Sequence, residues 1–285
     1  MAASYDSLTQ SYYPVNVGNG TNLFQAKRAP LSGGSVVPSS FIAGLVSTYT
    51  FTLQVADPIL PGGFIIINIP SEVSFPDPQQ AQCFNTSANF PSVPKCSFNA
   101  TSIIMRFGFQ ALQRFTPEQG PLLFQVSGIQ NPRSLRTSGS FQVFTYDSKG
   151  YMIDFKLDQL GVQMQQAQKL QLLEVVPSSQ VVATTSAYLL TLTPTVPILA
   201  GDVISVTFPN DYITPLPYTL TTCHGVDVLA ANLSCKSTGP NSLSLTVAFA
   251  RVTSSAETLS FSIMSVVNPP STTPTSLFAT QIFDQ

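Results

Sequence analysis

Apolar and polar positions alternate along short stretches of this chain with a period of two. From Thr48 to Val55, Tyr49, Phe51 and Leu53 alternate with Thr48, Thr50 and Thr52, which predicts a half-buried strand rich in aromatic and β-branched residues. A Pro/Gly turn over Asp57–Gly63 leads into Phe64–Ile69, where Ile65, Ile67 and Ile69 share one face. A Pro- and Cys-bearing loop from Pro70 to Ala100 follows. Further strands are expected near Ser102–Phe109, Leu122–Ile129, Ser140–Thr145 and Tyr151–Leu157, with Asp147-Ser148-Lys149-Gly150 as the hairpin turn joining the last two. Helical periodicity is weak, and 23 Pro suit loops and edge strands. The pattern predicts an all-β fold of immunoglobulin-like antiparallel β-sandwiches.

The same pattern occurs twice. Val36-Val37-Pro38-Ser39-Ser40 returns as Val175-Val176-Pro177-Ser178-Ser179, and at the same offset of 139 residues Tyr49 meets Tyr188 and Pro58-Ile59-Leu60 meets Pro197-Ile198-Leu199. Gly62 meets Gly201, Cys96 meets Cys235, and Cys83 lands one residue from Cys223. After a two-residue deletion Phe124 aligns with Phe261, Asn131-Pro132 with Asn268-Pro269, Phe141 with Phe278 and Asp147 with Asp284. A tandem repeat is expected to function as an array. Tyr5-Asp6-Ser7 matches Tyr146-Asp147-Ser148, so the register divides the chain into three parts. Residues 1–34 are the closing strands of a preceding or neighbouring unit, 35–173 a complete sandwich, and 174–285 a second sandwich lacking its closing strands. The expected architecture is a circularly permuted repeat. Residues 159–174 are rich in good helix formers, yet the matching stretch, 20–35, carries Pro30, Gly33 and Gly34. Both are therefore expected to be extended strands that run into the next unit.

Composition narrows the function. Charged residues make up 9% of the chain and the net charge is -2, which excludes a clustered basic face for nucleic acid. A hydrophobic content of 44% excludes a disordered polar tail. The longest apolar run, Phe64 to Ile67, is far too short to span a bilayer. The N-terminus lacks the basic and apolar regions of a signal peptide, so a segment of a longer protein or a mature chain is expected.

The four cysteines form two matched pairs, Cys83 with Cys96 and Cys223 with Cys235. One local disulfide per unit is the expected arrangement, and each would contribute about 3 kcal/mol in the chain-entropy model. The zinc alternative needs four ligands, and His224 is the only histidine. Asn-x-Ser/Thr sequons stand at Asn19, Asn85, Asn99 and Asn232. Three of them flank the cysteine loops. Together these features point to an extracellular or cell-surface glycoprotein.

Catalytic chemistry is not visible. His224 adjoins Cys223 with no Gly-x-Ser-x-Gly elbow, and a polar loop residue is the expected role. Asp154 and Asp158 are the closest acids of the complete unit and are expected to be solvated. The boundary near Glu174 has too few carboxylates for a calcium-stiffened joint. Gly33-Gly34 and Gly62-Gly63 lack the Lys and helix of a phosphate-binding loop, and Asn131-Pro132 and Asn268-Pro269 are explained as turns. No enzyme, cofactor or metal is expected.

Val36-Val37-Pro38-Ser39-Ser40, Pro61-Gly62-Gly63-Phe64 with its alternation to Pro70, the Cys83/Cys96 loop, Asn131-Pro132 and Phe144-Thr145-Tyr146-Asp147 resemble the tandem β-sandwich repeats of large secreted surface proteins of ciliated protists. The resemblance covers nearly the whole chain and implies a glycosylated coat or fibre protein without enzymatic residues. The second unit departs from it at Asp202, which replaces Gly63, and in lacking the Asn99 sequon. The expected function is a structural glycoprotein forming a head-to-tail filament or stalk, by chain continuation or donor-strand exchange. Its partner would be itself. The alternative is an adhesive or carbohydrate-binding module, with Phe90, Tyr212 and Tyr218 as candidate aromatics. A secreted hydrolase would need a carboxylate pair within reach.

Overall fold

The computed structural model describes residues 2–6, 11–16, 29–85, 90, 94–106, 108–109, 114–209, 222–226, 233–239, 242–247 and 257–284. A hairpin of β1 (Ala2–Asp6) and β2 (Ser11–Asn16) forms a two-stranded sheet. The first sandwich contains β3 (Ala29–Pro30), β4 (Gly33–Pro38), β5 (Val46–Gln54), β6 (Phe64–Asn68), β7 (Gln82–Asn85), β8 (Lys95–Phe98), β9 (Ser102–Arg106), β10 (Leu122–Gln130), β11 (Gln142–Tyr146) and β12 (Met152–Lys156). One sheet has the order β4-β5-β10-β7 and the other β3-β12-β11-β6-β9-β8. The second sandwich contains β13 (Leu172–Pro177), β14 (Thr185–Thr193), β15 (Val203–Thr207), β16 (Cys223–Val226), β17 (Leu233–Gly239), β18 (Ser242–Val247), β19 (Leu259–Val267) and β20 (Ala279–Phe283). Its sheets run β13-β14-β19-β16 and β17-β18-β15-β20. Strand for strand these are β4 to β11 again, in the same order. The fold is all-β, of immunoglobulin-like antiparallel sandwiches, and no α-helix occurs among the described residues. Only the β3–β12 pair is parallel among the ladders of the two sandwiches.

The alternation explains the layers. In β5 every second side chain, Ser47, Tyr49, Phe51 and Leu53, is buried between the sheets, and in β6 Ile65 and Ile67 are. Phe51 stacks on Phe124 at 5.2 Å and meets Phe141 edge-on at 5.5 Å, so the aromatic core bridges both sheets. A separate core cluster holds Tyr188, Leu190, Ile204, Val206 and Phe261. Two elements differ from expectation. The strand expected over Ser102–Phe109 ends at Arg106, because the Phe109 carbonyl turns to accept the Gly62 N–H at 2.8 Å. Residues 29–34, assigned by the repeat register to a preceding unit, pair with the first sandwich, and Leu31 lies in its core.

Residues 159–171 form no helix despite their helix formers, but neither do they form the expected strand: Gln159 has φ 66, a single bridge joins Gln166 to Ile42, and β13 begins only at Leu172. Leu160, Val162 and Met164 are buried in the first core and the residues between them are exposed. Burying three apolar side chains outweighs a propensity difference of tenths of a kcal/mol per residue.

The recurrent Asn-Pro does more than turn the chain. Asn131, 2% exposed, accepts at Oδ1 from Tyr49 Oη at 2.8 Å and Ser47 Oγ at 2.9 Å, and donates from Nδ2 to the carbonyls of Ser40 and Ile42 at 2.8 Å each. Its amide is fully satisfied. Asn268 repeats the clamp: Tyr188 Oη donates to it at 2.8 Å, and it donates to the carbonyls of Ser179 and Val181 at 2.8 and 2.7 Å. Burial pushes the Tyr49 hydroxyl pKa up, which keeps it a donor at any ordinary pH.

Tyr49→Phe should cost about 1 kcal/mol, because Ser47 still serves Oδ1. Asn131→Ala strands two buried hydroxyls and two carbonyls and should cost about 3 kcal/mol or more. Urea unfolding followed by circular dichroism checks both; equal losses would mean that the amide is not shared as described.

Candidate functional site

The two sandwiches meet where each departs from the repeat. Arg133 follows the Asn131-Pro132 turn, at the position occupied by Pro270 in the second unit. Asp202, in the turn before β15, stands where the first unit has Gly63. Arg133 Nη1 donates to Asp202 Oδ2 at 2.6 Å and Nη2 to Asp202 Oδ1 at 2.9 Å, while Nη2 also donates to Asp284. This two-pronged geometry belongs to arginine and not to lysine. Asp202 is 1% exposed and its Oδ2 also accepts the Leu199 N–H at 2.8 Å, so the carboxylate is fixed before Arg133 arrives. Burial lowers the Arg133 pKa, but its hydrogen bond to Asp202 and the charges of Asp202 and Asp284 outweigh that and raise it. The guanidinium is always charged here. A charged fork thus occupies the joint.

Gly44 completes the joint. Its φ is +68, and a Cβ there would lie 2.2 Å from Val196 Cγ1 of the second unit. The equivalent Ala183 has φ 54, so the conformation alone tolerates a methyl group at that position. Close approach of the neighbouring sandwich, as well as backbone conformation, requires glycine at 44. A cavity of about 610 Å³ lies beside this joint, lined by Arg133, Leu170, Leu173, Val196 and Ile282 among others.

The predicted site residues fall as follows. Cys83 on β7 is bonded to Cys96 on β8, and Cys223 on β16 to Cys235 on β17, each with Cα atoms 5.8 Å apart. Each bridge joins the edge strand of one sheet to that of the other, so it staples one margin of its sandwich. Asn99 is exposed, and its Oδ1 accepts from the N–H groups of Thr101 and Ser102 at 2.9 and 2.7 Å. Asn85 ends β7; Asn19 and Asn232 lie outside the described residues. His224 is an exposed strand residue rather than a loop residue. Phe90 is no surface aromatic: it is 6% exposed and packs on Phe109 and Phe124. Tyr212 and Tyr218 lie outside the described residues. Among the described residues no group of three or more His, Cys, Asp or Glu could hold a metal. No helix of the described residues is long and apolar enough to cross a membrane.

Asp154 overturns the expectation of a solvated acid. It is fully buried, its Oδ2 accepts from the N–H groups of Ala56 and Asp57 at 3.2 Å each, and its Oδ1 has no partner. Burial is the main cause that raises its pKa from 3.8 to about 6, with the Asp57 carboxylate adding to it against the two N–H bonds. Its neighbour Asp158 is exposed and pairs with Lys156 at 3.9 Å.

Three measurements follow from this geometry. Arg133→Gln leaves Asp202 buried without its cation and should cost about 2 kcal/mol or more in the second sandwich. Adding Asp202→Gly, the first unit's residue, should recover most of that loss in a double-mutant cycle. Gly44→Ala should loosen the joint, seen as a larger radius of gyration in X-ray scattering, while Ala183→Gly should leave it unchanged. Between about pH 4 and pH 6 native Asp154 holds a proton that the unfolded chain has released, so its contribution to stability falls as pH rises through that window. The melting temperature of Asp154→Asn relative to the parent should therefore climb from about pH 4 to pH 6 and be level above it; a constant difference would contradict the raised pKa.

No family model matches this sequence, and no curated protein matches it. Among solved structures it is similar to the type II cohesin dyad from the adaptor ScaA scaffoldin of Acetivibrio cellulolyticus, at 9% identity and a TM-score of 0.24 over 87% of each chain. It is also similar to the serine-rich repeat adhesion glycoprotein Srr1 from Streptococcus agalactiae, at 6% identity and a TM-score of 0.27, covering 89% of this chain and 96% of that one. The collagen adhesin CNA from S. aureus is a third, at 8% identity and a TM-score of 0.24 over 85% of each chain.

Proposed function

We propose that this chain is a structural surface glycoprotein whose β-sandwich units are laid head to tail as a filament or stalk. The observation that carries this reading is the Arg133 fork to Asp202 and Asp284, a joint built from residues that break the repeat. A loose tether between independent binding modules has no need of a buried ion pair, whereas a stiff stalk needs its two sandwiches held at a set angle. The units are residues 29–173, in which β3 and Leu31 complete the first sandwich, and residues 174–285.

The edge of β20 supports the same reading. In the first sandwich β11 carries β12 and then β3 outside it, whereas β20, its counterpart, pairs only with β15 among the described strands. Such an edge takes a further strand, from chain continuation or from another copy. The two disulfides suit an oxidising compartment outside the cell, and glycans at Asn85 and Asn99 would decorate the stapled margin.

Electron microscopy of native material should show a continuous fibre whose axial repeat accommodates two sandwiches; discrete particles would overturn the filament. Peptide-N-glycosidase treatment should lower the apparent mass, and no shift would remove the glycoprotein part.

A further inference from the structure

The two sandwiches differ in what covers one groove. In the first, the chain leaves β12 and runs along the margin, burying Leu160, Val162 and Met164 and exposing Gly161 and Gln163. The Ser138 N–H donates to the Val162 carbonyl at 2.9 Å, and the Val162 N–H donates to Ser138 Oγ at 3.0 Å. The Leu160 N–H donates to Ser140 Oγ at 3.0 Å, and farther on the Ala43 N–H donates to the Gln166 carbonyl at 2.8 Å. These three side chains join the core cluster of Val36, Tyr49 and Phe141.

In the second sandwich the corresponding positions line an open groove of about 500 Å³ that includes Val175, Pro177, Val182, Tyr188, Thr275 and Phe278. Relative exposure shows which positions lose their cover. Val36, Pro38, Ser138 and Phe141 are buried, whereas Val175, Pro177, Thr275 and Phe278 are only half-buried. Ala43 is 1% exposed and its counterpart Val182 39%. No charged residue lines the groove, and none occurs in Leu160-Gly161-Val162-Gln163-Met164. Repeat symmetry therefore specifies the occupant.

We propose that this groove binds an extended, uncharged peptide segment that inserts apolar side chains at three alternate positions, as Leu160, Val162 and Met164 do in the first sandwich. Binding combines main-chain hydrogen bonds at Thr275 and Val182 with burial of the alternate side chains, the general mode of strand-like peptide recognition. The stretch beside the first position differs. Gly34, where an added Cβ would lie 3.4 Å from Leu160 Cδ2, is replaced by Leu173, which lines the cavity at the joint next to this groove. The first position accordingly takes a smaller residue such as valine. The proposal deepens the head-to-tail reading and rests on it, since it names the segment chemistry by which a following unit is held.

The test uses the full chain and a fluorescein-labelled peptide of residues 158–168 carrying Leu160→Val. Anisotropy should show saturable binding with a midpoint below about 1 mM. A peptide carrying Val162→Asp should bind at least about tenfold more weakly, because its carboxylate would enter an apolar groove. In the chain, Val182→Arg should weaken peptide binding at least about tenfold by filling the groove with a charge, with the melting curve unchanged because Val182 is partly exposed. Absent saturation, or equal binding of the Val162→Asp peptide, would overturn the proposal. So would self-association of the chain that excess peptide fails to displace. Peptide binding by a chain that never forms fibres would keep the groove and remove the filament. Fibres formed by a chain that ignores the peptide would do the reverse.

Discussion

One carboxamide per sandwich ties together segments that the β-ladders leave separate. Asn131 closes β10, yet its side chain holds the Ser40–Ile42 loop and the Tyr49 hydroxyl of β5 at the same time. Tyr49 is fully buried, and a buried hydroxyl without a partner costs about 1–3 kcal/mol. The aromatic core therefore requires the amide, and the amide fixes the loop that brings Gly44 to the neighbouring sandwich. The Pro132 carbonyl then accepts the Gly44 N–H at 2.9 Å and sets that loop's exit. Core, loop and joint form one chain of dependence.

The joint itself shows how a repeat becomes a particular object. Here three positions break the identity: Arg133 for Pro270, Asp202 for Gly63, and Gly44 for Ala183. Asp202 is buried and hydrogen-bonded within its own turn, so its desolvation is partly offset before the partner docks. Arg133 supplies the rest of the compensation, and because the fork has a preferred plane it restricts rotation as well as distance.

Much of the fold was legible because strand burial is a local alternation. Tyr49, Phe51 and Leu53 announce which face is inside, and the cysteine spacing announces a local bridge in each unit. The clamp was also visible in principle, since Tyr49 with Asn131 and Tyr188 with Asn268 recur together, but a turn was a sufficient local account of Asn-Pro. Arg133 and Gly44 were hidden for a different physical reason: their partners come from the other sandwich, and comparing repeats treats a departure as loss of signal. The burial of Asp154 is not legible locally, because it comes from contacts of β12 with β3 and with the Ala56–Asp57 turn, which the sequence around it does not encode. Residues 159–171 show the opposite case, in which period-two burial of Leu160, Val162 and Met164 overrode helix propensity.

A sandwich has two margins, and this chain closes them by different means. One is closed covalently, Cys83 to Cys96 and Cys223 to Cys235, at the same strands in both units. The other is closed in the first sandwich by β12, β3 and the extended run from Leu160, none of which has a described counterpart in the second. Covalent closure suits a margin that never exchanges, because the bond needs only its own two strands. Closure by an extended segment costs conformational entropy when the segment is ordered, and burial of Leu160, Val162 and Met164 offsets that cost in the first sandwich. The first sandwich thus holds one margin by a covalent bond and the other by main-chain pairing and buried apolar side chains.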